Sequence, residues 1–294
     1  MSYYNNFDYR DDCCYGEYIN NPTITDRFYA LDSNNNILSV TATRNNQGNY
    51  VQLGDTIKCH PITGLYPGQR AVGIAFRPAN RTLYLLVRTQ TGGRLYTLNI
   101  SDRCGAIATP VGFGLTTTGG APIVLNGTSF SLSFDPITDR LRVISNTGQN
   151  LTVNPDTGAT IINTNLSYAV GDVNFGNIPS IGGIAFTNNF IGAVNTTLYG
   201  IDTNQNALVI QNPINDGTLN TVGSLGINVS QFLGFTIVNR SNTAIAVLRT
   251  GTQTGIYRIN LLTGTAILLR RIVPDECNNG IIIGLAAIPS NRTF

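Results

Sequence analysis

Phe130-Ser-Leu-Ser-Phe134-Asp-Pro, Arg140-Leu-Arg-Val-Ile144, Asn150-Leu-Thr-Val-Asn154 and Ala159-Thr-Ile-Ile162 follow one another in the chain. Each is a short run rich in β-branched, leucine or aromatic residues, and the segments between them hold turn formers such as Asp156-Thr-Gly158. Such runs read as four strands joined by tight turns. The phrase recurs on both sides. An earlier copy runs Gly73-Ile-Ala-Phe76, Leu83-Tyr-Leu-Leu-Val87, Arg94-Leu-Tyr-Thr-Leu-Asn99 and Ala108-Thr-Pro-Val-Gly112. A later one runs Gly183-Ile-Ala-Phe186, Thr197-Leu-Tyr-Gly-Ile-Asp202, Ala207-Leu-Val-Ile210 and Leu219-Asn-Thr-Val-Gly223. A fourth runs Gly234-Phe-Thr-Ile237, Thr243-Ala-Ile-Ala-Val-Leu248, Gly255-Ile-Tyr-Arg-Ile-Asn260 and Thr265-Ala-Ile-Leu-Leu269. The spacing of about 50 residues is that of four-stranded propeller blades.

The two ends supply a further copy between them. Gly284-Leu-Ala-Ala-Ile288 is a first strand without followers, and Asp26-Arg-Phe-Tyr-Ala-Leu-Asp32 is a second strand without a predecessor. Asn36-Ile-Leu-Ser-Val40 adds a third strand, and the stretch from Tyr50 to His60 a fourth. The expected fold is therefore all-β: a five-bladed β-propeller over residues 25–294 whose last blade is completed by both ends. Pairing the ends in this way leaves no dangling edge in the ring. Residues 1–24 form a separate extended arm, rich in Tyr, Asn and Asp, with no strand or helix periodicity.

Composition narrows the chemistry. Of the 294 residues 42% are hydrophobic, enough for a core, but only 12% are charged and the net charge is +2. That balance provides no phosphate-neutralising surface, so nucleic acid is not an expected partner. No apolar run reaches the ~20 residues of a spanning helix, so membrane insertion is not expected. The first residues lack the apolar stretch of a secretory signal, so a surface or extracellular location would need another export route.

The chain has one histidine, one lysine and two glutamates, Glu17 and Glu276. Propeller glycosidases need carboxylates converging on the channel, yet only Asp135 and Asp202 fall at strand ends, where each also suits a turn. Cys59 and His60 are adjacent in a strand and so face opposite ways, which disfavours a thiol–imidazole pair. A zinc set of Cys13, Cys14, Cys59 and His60 lacks paired-ligand spacing. Tyr84, Tyr96, Tyr199 and Tyr257 alternate with apolar residues and read as core. No catalytic residue, cofactor or metal is expected, and the protein reads as a non-enzyme.

Cysteine placement points elsewhere. Cys13 and Cys14 are adjacent on the arm, and bridging them to each other would strain the ring, so separate partners are expected. Cys104 sits at a hairpin tip and Cys277 in a connecting loop, both suited to cross-links, whereas strand residue Cys59 reads as a buried small hydrophobe. An odd number of cysteines leaves one over unless a bond is intermolecular.

From about Phe28 onward the chain resembles an uncharacterised bacterial family of propeller-like repeat domains. The resemblance is strongest in Arg140-Leu-Arg-Val-Ile-Ser-Asn-Thr-Gly-Gln-Asn-Leu-Thr-Val-Asn-Pro-Asp-Thr-Gly158, with Leu198-Tyr-Gly-Ile-Asp202 and Asn215-Asp-Gly-Thr-Leu219 as further matching phrases. It implies the fold and an extracytoplasmic setting, and no chemistry. The arm with its Cys-Cys pair is similar to the connector of bacterial endospore appendage subunits, over the arm alone. The resulting expectation is a structural subunit that self-assembles into an extracellular or spore-surface fibre. The arm would link neighbours, with Cys13, Cys14, Cys104 and Cys277 in intermolecular disulfides. The alternative is a lectin-like propeller that binds a glycan or a protein on its loop face.

Overall fold

The computed structural model describes residues 24–44, 50–53, 58–101, 105–238, 241–272 and 280–288. Among them every regular element is a strand. The first group is β1 (Ile24–Asp32), β2 (Asn36–Arg44), β3 (Tyr50–Leu53) and β4 (Lys58–Thr63); β5 (Arg70–Arg77), β6 (Thr82–Arg88), β7 (Gly93–Ser101) and β8 (Gly105–Val111) follow. Next come β9 (Phe130–Phe134), β10 (Leu141–Ser145), β11 (Asn150–Val153), β12 (Thr160–Ile162) and the two-residue β13 (Ser167–Tyr168). β14 (Ile181–Phe186), β15 (Leu198–Asp202), β16 (Ala207–Gln211) and β17 (Thr218–Ser224) form the next group. The last strands are β18 (Gln231–Val238), β19 (Thr243–Thr250), β20 (Gln253–Ile259), β21 (Ala266–Ile272) and β22 (Ile282–Ile288).

Three sheets are antiparallel meanders in sequence order: β9 to β12, β14 to β17 and β18 to β21. The largest sheet follows the path β22-β1-β2-β4-β8-β7-β6-β5. It consists of two such quartets joined where β4 runs parallel to β8, Ile62 opposite Ala106. The path comes nearly back on itself, since its end strands β5 and β22 lie against each other. The two ends of the chain do meet: β22 pairs antiparallel with β1, Phe28 opposite Ala287 and Ala30 opposite Leu285. The fourth strand expected between Tyr50 and His60 is two pieces. β3 pairs with the far end of β2 and β4 with its near end.

The first strand of each quartet stands next to that of its neighbour, in the cyclic order β22, β5, β9, β14, β18 and back to β22. At equivalent register these strands carry Ala75, Ser133, Ala185, Thr236 and Ala287, and all five line one narrow axial cavity. Each is paired with a larger residue one strand outward: Tyr84, Arg142, Tyr199, Ile245 and Phe28 respectively. Small residues near the axis and large ones outside fit wedges that taper inward. The arrangement is propeller-like.

The core lies between quartets. Phe134, Leu141 and Val143 pack with Tyr84, Leu86 and Leu95 in one cluster, and Phe28, Ala30 and Leu285 pack with Val238, Ile245 and Val247 in another. Each fully buried side chain of this kind contributes about 1.5–3 kcal/mol. The axial strands also need partners for their inward N–H groups. Ser131 and Ser133 meet this need for β14, accepting from the amides of Ile184 (2.7 Å) and Phe186 (3.2 Å).

Candidate functional site

The residues weighed for chemistry and read as turn or core residues hold structural places. Asp135 accepts hydrogen bonds from the amides of Ile137 and Thr138 and from the Thr138 hydroxyl, closing the turn after β9. Asp202 is fully buried. Its carboxylate accepts from the amides of Asn204, Gln205 and Ser180 and from the Tyr168 hydroxyl at 2.5 Å. Burial, together with that bond to Asp202, holds the Tyr168 phenol well above its ordinary pKa. Tyr84, Tyr96 and Tyr257 are core residues, and Tyr199 is half-buried against the same interior.

Cys59 departs from expectation: it is exposed. Alternation along β4 turns His60 inward, where its Nε2 lies 3.1 Å from Ser39 Oγ, so the neighbouring Cys59 faces out. Among the described residues no His, Cys, Asp and Glu side chains cluster as metal ligands. Cys13, Cys14, Cys104, Cys277, Glu17 and Glu276 lie outside the described residues.

Arg77 and Arg142 act between quartets, and neither carries a local signal of that role in the sequence. Arg77, at the end of β5, is buried and grips the neighbouring quartet. Its guanidinium donates to Asp139 (2.9 and 2.5 Å), to Asp156 (2.6 Å) and to the Tyr84 hydroxyl (3.0 Å). The bond to Asp139, reinforced by Asp156, raises the Arg77 pKa above its usual value despite burial. In return Arg77 holds the Asp156 carboxyl below the ordinary range. Arg142, on β10, donates to Asn150 and across to Asn215 of the next quartet. Burial lowers its pKa to about 10, against the opposing charge of Asp135, so it stays protonated at neutral pH. These are clamps between wedges and offer no reactive group.

The outer rim differs from the interior. On three quartets the segment entering the quartet also touches its outermost strand: Ile62–Thr63 on β8, Thr116 on Ala159, and Ser167–Tyr168 on β17. On the β18 to β21 quartet, the Ala266 amide donates to the Leu225 carbonyl. Beyond that bond, among the described residues no strand pairs with the outer side of β21, which displays Ile267, Leu268, Arg270 and Arg271.

The connector that passes β17 exposes large apolar side chains: Val170 is 88% exposed, Val173 83%, Phe175 58% and Ile178 81%. This loop is nevertheless held firmly. Asp172 accepts from the amides of Thr221 (2.6 Å) and Asn174 (2.8 Å) and from the Thr221 hydroxyl (2.7 Å). Burial works to raise the Asp172 pKa, but these donors outweigh it and hold the carboxyl below its usual range. Asn204 donates to the Ile178 carbonyl at the far end. The signal in the sequence was four large apolar residues among Gly, Asn and Asp with no strand or helix spacing, which pattern analysis passes over.

A family model described as a domain of unknown function, DUF4394, matches residues 49–286. The chain belongs to the DUF4394 family. Among curated proteins none matches it in sequence. Solved structures similar to this DUF4394 chain include the nidogen/laminin complex, at 12% identity, TM-score 0.48, covering 90% of this chain and 98% of that one. A structural-genomics protein of unknown function from Bacteroides thetaiotaomicron is similar at 14% identity, TM-score 0.49, over 93% and 69% of the two chains. The PQQ-bound aldose sugar dehydrogenase of Streptomyces coelicolor is similar at 13% identity, TM-score 0.41, over 90% of each. At these levels the likenesses lend the DUF4394 chain no activity.

Proposed function

We propose that this protein is a structural subunit that self-assembles into an extracellular or spore-surface fibre. In this reading the domain is a five-bladed propeller whose last blade is shared by both ends. The cyclic contact of β22, β5, β9, β14 and β18 supports that count. Residues 1–24 act as a strap to a second copy, and Cys13 and Cys14 form intermolecular disulfides with Cys104 or Cys277 of the neighbour.

The observation that carries the reading is the rigidly bonded loop bearing Val170, Val173, Phe175 and Ile178 in solvent. Large exposed apolar patches mark protein–protein contact sites in soluble domains, and hydrogen bonds at Asp172 and Asn204 keep this loop from folding its apolar residues away. The commitment of Asp135 and Asp202 to turns, and of Tyr84, Tyr96 and Tyr257 to the core, favours this reading over an enzyme or a glycan-binding face.

The test is the mass distribution of the purified full chain by non-reducing gel and negative-stain microscopy, beside a chain lacking residues 1–24. Filaments or high-mass species that a reductant shortens, and that the deletion abolishes, are expected. Monomers throughout, or unchanged polymers after the deletion, would overturn the proposal. A glycan-array hit by such a monomer would establish the lectin-like alternative.

A further inference from the structure

We infer that the outer edge of β21 is the acceptor for the N-terminal arm of a second copy, which adds there as a further strand. The inference rests on the self-assembly reading and names the surface that reading leaves open. β21 is seven residues long, Ala266-Ile-Leu-Leu-Arg-Arg-Ile272. Its inner side is engaged by β20 from Ile259 opposite Ala266 to Thr254 opposite Ile272. On its outer side, among the described residues, the first amide donates to the Leu225 carbonyl and no strand pairs with the rest. Long edges of this kind template strand addition unless something covers them.

The outermost strands β17 and β8 show what a cover looks like here. Ser167–Tyr168 lies along β17 and Ile62–Thr63 along β8, each a short parallel addition from a passing segment. β21 has no such neighbour among the described residues.

The arm fits this edge in charge and in reach. Residues 1–23 carry Asp8, Asp11, Asp12 and Glu17 against the single Arg10, and hold Tyr3, Tyr4, Phe7, Tyr9, Tyr15 and Tyr18. β21 carries Arg271 with no acidic residue and exposes Ile267 and Leu268, each more than two-fifths accessible. An acidic, aromatic strand beside a basic, aliphatic one provides both opposite-charge and aromatic–aliphatic cross-strand pairs. Extended at ~3.3 Å per residue, the 23 residues span roughly 75 Å, enough to leave their own ring.

The test uses the full chain with a thiol reductant present, so that only non-covalent assembly is read. The Ala266 amide points away from β20, toward Leu225, so the alternation of strand amides turns the Leu268 amide outward as well. Leu268→Pro removes that donor and obstructs an incoming strand, while proline on an outward-facing edge position is tolerated by the sheet itself. Its critical concentration for assembly is expected to rise about tenfold or more, the loss of roughly two hydrogen bonds, with far-UV circular dichroism unchanged. Arg271→Glu is expected to weaken assembly similarly, and combining it with Asp11→Arg and Asp12→Arg to restore it, which keeps the test sound should the proline variant misfold.

If the wild type polymerises and the arm deletion does not, yet both β21 variants polymerise as wild type, the acceptor is wrong while the self-assembly reading stands. If the wild type is monomeric in reductant yet of high mass without it, the acceptor falls while the self-assembly reading stands; if it is monomeric in both, both fall. If the arm deletion lowers monomer stability at high dilution, the arm covers its own ring and the second-copy assignment is overturned.

Discussion

Gly234 and Gly73 occupy equivalent places on two axial strands, and replacing each by alanine separates the closure of the ring from ordinary crowding. Neither glycine has a positive φ, so alanine is not strained at either backbone; the difference lies in what a Cβ would meet. At Gly234 it would come 2.6 Å from Leu285 Cβ, 2.9 Å from Leu285 N and 3.1 Å from the Gly284 carbonyl carbon, all close to the backbone of β22. At Gly73 it would come 2.2 Å from Leu132 Cδ1, the far end of a side chain, with the next atom 3.4 Å away. Overpacking against backbone costs about 1–3 kcal/mol, whereas turning a leucine to another rotamer costs about 0.5–1.5 kcal/mol. Alanine recovers about 0.4–1 kcal/mol in both by restricting the unfolded chain. The net expectation is a loss of about 1–2 kcal/mol for Gly234→Ala and near zero for Gly73→Ala. At about 2–4 °C per kcal/mol, scanning calorimetry should place the first variant several degrees below the second. Equal melting temperatures, or a lower one for Gly73→Ala, would refute the idea that β18 and β22 are held at backbone contact.

Ser131→Ala leaves the Ile184 amide without its acceptor in the interior and should cost about 1–3 kcal/mol in urea unfolding; Ser131→Thr, which keeps the hydroxyl, should lose less. Arg77→Met removes the clamp to Asp139, Asp156 and Tyr84. Both carboxylates reach water, so the loss should stay near 1–2 kcal/mol, and a larger one would mean that the clamp also orders the neighbouring quartet. Asp156 and Asp172 both titrate below the ordinary carboxylate range in the folded state. Their contribution is therefore complete above pH ~4 and is lost as pH falls through the lower folded values. Melting temperature against pH should be level near neutrality and fall below pH ~4, less steeply in Asp172→Asn. A rise on acidification would contradict the assignment.

The strands were readable because each is short, apolar and bounded by turn residues: Phe130 to Phe134 was expected as a strand and is one, end to end. The meeting of the two ends was also readable, since a first strand without followers and a second without a predecessor complement each other. The contacts between repeats were not. The parallel segment Ser167–Tyr168 is two residues long, too short for any period. Arg77 reaches Asp139 and Asp156 across 62 and 79 residues, and nothing local distinguishes it from a solvated arginine. Cys59 was misread because strand membership was taken to mean burial, whereas position along β4 decides which residue faces in. The exposed loop at Val170 to Ile178 breaks the rule that apolar residues lie inside, and a pattern search built on that rule cannot register it.

The pairing of β1 with β22 has a bearing on how the protein is made. Phe28 finds Ala287 only after some 260 intervening positions have been translated, which at about 5–20 residues per second takes roughly 13–50 s. During that time the middle quartets can form and stack from local hairpins, while β1 and β2 emerge first and wait longest for their neighbour. A ribosome stalled before residue 282 would hold an open arc with two sticky flanks, the species a chaperone would be expected to meet.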